Sequence, residues 1–128
     1  MRKIHFSMAL VLCFVTLGCQ GAIKNEVKAY IEAREDLIMQ MGKPIEANPT
    51  NAGVDEARKI FEAKRADLKQ KQEELFKKDI PFDLVQVLMN SSASCHSILD
   101  GIGNKLSDGE AIINYSKLRN EFTQAFLK

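Results

Sequence analysis

Between residues 54 and 78 apolar side chains return at every seventh position, Val54, Phe61, Leu68 and Leu75. A return of seven keeps one stripe of a helix turned towards a neighbour, so this segment is read as a helix with helical company. Ala57, Lys64 and Lys71 occupy the intervening positions of the same seam, with Ile60 and Phe76 on its flank. Two lysines in a seam predict a narrow contact, because their aliphatic stems cover apolar surface while the ammonium groups reach water. Asp55 with Lys59, Asp67 with Lys71, Glu73 with Lys77 and Glu74 with Lys78 stand acid before base, four apart. On an exposed helix each such pair contributes about 0.2–0.5 kcal/mol, which marks a solvated face.

The same spacing of three and four governs the rest of the chain. In the first segment Ile23, Val27, Tyr30, Ile31, Leu37, Ile38 and Met41 line one face, and Gly42 with Pro44 is expected to stop the helix. "GKPIEANPTNAG", residues 42–53, holds two of the three prolines and reads as the longest loop. Asp79, Ile80 and Pro81 break the second segment, with Pro81 suited to the first turn of the third. There Val85, Leu88, Ser92, Cys95 and Leu99 form a stripe beside Leu84 and Ile98, thinned by "SSAS" (residues 91–94) and closed by Gly101 and Gly103. In "SDGE" Ser107 is expected to cap the fourth segment with Glu110 completing a capping box; Ala111, Tyr115, Leu118, Phe122 and Ala125 follow, flanked by Ile112 and Phe126.

No run alternates as a half-buried strand would. The predicted fold is therefore all-α, an antiparallel four-helix bundle around one core, with a three-helix bundle containing a broken helix as the alternative. At 128 residues there is room for one domain. Lys and Arg number 18 against 17 Asp and Glu. So even a balance gives no field to attract nucleic acid, and no nucleic-acid partner is expected.

The first 18 residues differ in kind. Arg2 and Lys3 precede an apolar run from Ile4 to Leu17, the two regions of an export signal. A run of about 14 residues is short of the roughly 20 that span a bilayer as a helix, so cleavage is expected and His5 is lost with the leader. Thr16-Leu17-Gly18-Cys19 then resembles the lipobox of bacterial lipoproteins, in which a small residue precedes a cysteine that is acylated and becomes the new N-terminus. The match covers residues 1–20; Thr16 stands where Leu is commoner. The resemblance implies a signal peptide over 1–18, a lipidated N-terminus and tether over 19–21, and a helical domain over 22–128. It makes Cys19 the lipid attachment site, palmitate-type acyl chains the anchor and the membrane a partner. Each buried methylene contributes about 0.8 kcal/mol, so two or three chains hold stably. Gln20, in place of an Asp, points to the outer membrane facing the periplasm if the source is Gram-negative. The alternative is an ordinary secretory signal cut after Gly21 or Ala22, giving a secreted or periplasmic chain.

Cys95 and His96, in "SSASCHSILD", are the internal thiol and the remaining histidine. Adjacent residues on a helix point about 100° apart, which does not favour a nucleophile–base pair, and Cys95 is read as a buried, inert core residue. Ser92-Ala93-Ser94-Cys95-His96 resembles a c-type haem attachment motif whose first cysteine is serine. That resemblance implies a haem- or metal-binding bundle using His96 as the alternative function, with Met39 or Met41 as conceivable second axial ligands. His96 and Asp100, one turn apart, are expected to form a surface hydrogen bond or ion pair rather than a metal site. Phosphate-loop, GxSxG and HExxH motifs are missing, so no enzyme activity, catalytic residue, cofactor or metal is expected. The expected role is contact with another protein at the cell envelope; the faces around Tyr30 and Ile112 are docking candidates, with core packing the first reading of both.

Overall fold

In this computed structural model the backbone is described for residues 2–127 and the side chains for residues 21–127. Four helices run in chain order: α1 (Arg2–Ala47), α2 (Asn51–Phe76), α3 (Phe82–Gly103) and α4 (Gly109–Phe126). They form an all-α four-helix bundle. The expectations for residues 1–18 and for Cys19 lie outside the residues whose side chains are described.

Successive helices run antiparallel. Glu26 of α1 meets Lys78 after α2 at 2.6 Å, while Asp100 of α3 meets Arg119 of α4. Packing neighbours follow a different order from the chain. α1 lies against α2 and α3, and α4 lies against α2 and α3, so the α2–α3 connection crosses the diagonal of the bundle. The side-to-side pairs are consequently parallel. Arg34 meets Ser91 and Glu46 meets Lys105 along α1 and α3, and Asn51 meets Asn114 and Arg58 meets Glu121 along α2 and α4.

The core is the stripe of each helix. Val54, Ala57, Phe61, Leu68 and Leu75 of α2 are buried, as the seven-residue return requires. Phe61 meets Phe122 and Phe126 of α4 with ring centroids 6.0 and 6.4 Å apart, and Phe122 meets Phe126 at 5.3 Å. Such tilted pairs add about 0.5–1.5 kcal/mol beyond the area that they bury. Lys64 and Lys71 are exposed, and with Asp36 and Asp67 they line a shallow groove of about 160 Å³ over Leu37 and Leu68.

The first helix does not stop at Gly42 and Pro44. It runs on to Ala47 with Pro44 inside it. Proline in a helix interior costs about 3 kcal/mol. Full burial of Ile45 returns roughly 1.5–3 kcal/mol, a comparable amount. Two further contacts tip the balance: Gly42 lies so close to Ile102 that an added Cβ would stand 2.9 Å from its Cδ1, and Glu46 pairs with Lys105 at 2.5 Å. The expected loop of residues 42–53 shrinks to 48–50. Thr50 N–H donates to Asn48 O at 2.8 Å and Val54 N–H to Thr50 O at 3.2 Å, so α2 starts at Asn51.

Three other local expectations are corrected. At the start of α4 the N-cap is Asp108, not Ser107, and no side chain caps it. With Gly109 as first residue, the third helical position is Ala111, so Glu110 cannot close a capping box. The acid-before-base pairs of α2 give way to other partners: Lys59 pairs with Glu56 at 3.0 Å, and Lys78 reaches α1. Ile112, read first as core, is 43 % exposed, whereas Tyr30, also read first as core, is 1 % exposed and lies there.

Candidate functional site

The polar centre of the bundle is a residue that periodicity alone passes over. On α1 the buried positions Val27, Tyr30, Leu37, Ile38, Met41 and Ile45 leave one gap in the register, four after Tyr30 and three before Leu37. Arg34 fills it, at 2 % exposure. Its Nη1 donates to Phe126 O at 2.9 Å, and its Nη2 to Ser91 Oγ at 2.9 Å and Leu88 O at 3.4 Å. The guanidinium carbon stands 5.1 Å from the Tyr30 ring centre, a cation–π contact.

Those acceptors have a structural logic. A helix leaves its last carbonyls without intrahelical partners, and its C-terminal end carries partial negative charge. Arg34 takes Phe126 O, and Gln72 Nε2 takes Ala125 O at 3.1 Å while also donating to the Tyr30 hydroxyl at 3.1 Å. The end of α4 is thus closed by side chains from α1 and α2. Burying a cation needs this many bonds to offset lost hydration. One donor remains: Arg34 Nε is buried and without a partner. No carboxylate touches the guanidinium among the described residues; Glu35 is one hydroxyl away, accepting from Ser91 Oγ at 3.3 Å.

Ser91, not Ser92, is therefore the serine in the core of α3. The buried positions are Leu88, Ser91, Cys95, Leu99 and Ile102, while Val85 and Ser92 turn towards the side. Together with Arg34, Phe76, Ile80, Leu88, Met89 and Leu127 they line a cleft of about 490 Å³, with His96 also on its wall. Phe76 is 50 % and Met89 60 % exposed at its lip, and Phe82, 77 % exposed, lies on the same face of α3 one turn before Val85. The cleft is apolar except for the guanidinium, Ser92 and the imidazole. It sits at the end of the bundle where Glu26 meets Lys78, the end from which α1 leads back to residues 19–21.

The residues expected to carry chemistry are not brought together. Cys95 is fully buried and unpaired. Burial pushes its thiol up, partly opposed by the field of Arg34. Asp100 pairs with Arg119 of α4 rather than with His96. Among the described residues no three His, Cys, Asp or Glu side chains stand close enough to hold a metal. Tyr115 donates to Leu99 O at 2.5 Å, and burial raises its phenol well above the usual value. Because the raised thiol is neutral at ordinary pH and sealed from water, Cys95 in the native chain is expected to react with an aromatic disulfide reagent only after unfolding. Ready labelling of the folded protein, followed by absorbance, would show that the core opens there.

Among the described residues no helix is long and apolar enough to cross a membrane. No protein-family model matches the chain, and no match is found among curated proteins or solved structures.

Proposed function

We propose that the chain is a small lipoprotein of the cell envelope, anchored through acyl groups on Cys19, that works by contact with a protein partner rather than by turnover. The signal-like segment before Cys19 supports the anchor, with the outer membrane facing the periplasm as the site in a Gram-negative source. The observation that carries the contact role is an apolar pair left open on α4. Ile112 is 43 % and Ile113 58 % exposed. Asn114, one residue on, bonds to Asn51 at 2.6 Å, which puts this pair at the start of α2 and hence at the end of the bundle away from residues 19–21. An anchor at one end and an apolar patch at the other suit a protein that presents its far end to a partner.

Mass spectrometry of the mature N-terminal peptide tests the anchor. The expected result is Cys19 as first residue carrying a diacylglyceryl thioether and an amide-linked acyl chain, lost together with membrane association in Cys19→Ser. A mature start downstream of residue 19 overturns it. For the contact, the double variant Ile112→Asp, Ile113→Asp is expected to lose its co-purifying envelope partner while its stability changes by only about 0.5 kcal/mol per site, as surface changes do. A Soret band in the purified protein would instead favour the haem reading through His96.

A further inference from the structure

We infer that the α3 cleft is a binding site for a fatty acid, with the carboxylate on Arg34 and the chain along Phe76, Val85 and Met89. Small-molecule sites are concave, mostly apolar, roughly 300–1000 Å³ in volume and oriented by few polar groups. The cleft meets each condition, at about 490 Å³ with one cation set into an apolar wall. A guanidinium offers five N–H donors. The structure accounts for three of them, on a serine hydroxyl and two backbone carbonyls, all neutral. Nε stays unpartnered although it is buried, a rare state that calls for a missing acceptor. An anion supplies both the acceptor and the countercharge, and a carboxylate oxygen on Nε–H makes a charge-assisted hydrogen bond.

The occupant's other half follows from the walls. Phe76, Ile80, Val85, Leu88, Met89 and Leu127 present hydrocarbon, and Phe82 prolongs the strip past the lip. A free carboxylate without a tail would leave that surface wet, whereas a single acyl chain covers it. The proposal rests on the envelope reading only for the origin of the ligand, since the cleft faces the end that an anchored chain would turn to the bilayer.

Photolabelling tests it. The full chain in phosphatidylcholine nanodiscs is irradiated with a diazirine-bearing pentadecanoic acid, and labelled peptides are mapped. Label is expected on residues 76–96, displaced by palmitate at concentrations at least about tenfold lower than by hexadecanol, because a charge-assisted bond is at stake. Met89→Glu, at an exposed lip position that leaves the fold intact, is expected to cut labelling about tenfold by placing a charge against the acyl chain. Equal displacement by acid and alcohol, label scattered over the surface, or full labelling of Met89→Glu overturns the inference. Preferential displacement by a two-chain phospholipid or by an acidic peptide does so too. Cys19→Ser separates the two readings: undiminished labelling there keeps the site even if the anchor fails.

Discussion

Arg34→Met is expected to destabilise the bundle by about 3 kcal/mol, the scale for removing buried hydrogen bonds from a charged donor. The methionine fills much of the stem's volume, so the loss is not a cavity effect. It comes from Phe126 O and Ser91 Oγ, which lose the donor that now stands at 2.9 Å from each and stay buried. Replacing a buried ion pair by apolar residues is often neutral, because both charges leave together. That escape is closed here: the acceptors are a helix-end carbonyl and a hydroxyl, and they remain. Ser91 Oγ keeps its bond to Glu35 at 3.3 Å, so Ser91→Ala should cost less in the Arg34→Met background than in the native chain, where it removes both bonds. Urea unfolding of the two single variants and the double variant gives that coupling directly, with about 1 kcal/mol expected. A single-variant loss under about 1 kcal/mol would mean that desolvation of the guanidinium already cancels its bonds.

Gly53→Ala should cost at least about 3 kcal/mol, the upper end for overpacking, although alanine is the better helix former and Gly53 lies in the first turn of α2. The reason is a close approach of backbone to backbone. A Cβ at Gly53 would stand 1.9 Å from Asn48 O and 2.8 Å from Pro44 O. Neither atom belongs to a side chain that can swing away, and Pro44 O already accepts from Asn48 N–H at 2.9 Å. Relief requires opening the turn at 48–50 and lifting α1 from α2. Gly42→Ala makes the internal comparison. There the obstacle is the tip of Ile102, which can rotate, so its cost should be well below that of Gly53→Ala in the same denaturation experiment.

How much of this was legible in the chain depends on the distance over which each feature is decided. The seven-residue return of Val54, Phe61, Leu68 and Leu75 named the buried face of α2 position by position. Pro81 and the glycines at 101 and 103 placed both ends of α3 to within a residue or so. Pro44 misled, since its penalty is local and visible while Ile45, Gly42 against Ile102 and Glu46 with Lys105 are contacts with other helices. The site was less legible than the fold. Arg34 was marked by a hole in the α1 stripe, a charged residue in a core register, and that signal was readable. Its acceptors were not: Ser91, Leu88 and Phe126 lie 54 to 92 residues away in sequence.

Sequence by itself determined that the body is helical, that Val54, Phe61, Leu68 and Leu75 line the buried stripe of α2, and that its charges balance, because a helix repeats its facing within a few residues. Only the tertiary structure decided that α1 pairs alongside α3 and α2 alongside α4, that Ser91 rather than Ser92 turns inward, and that Arg34 and Gln72 close the end of α4. Those outcomes depend on which stripes meet across the bundle, where carbonyls left over by one helix find the donor on another.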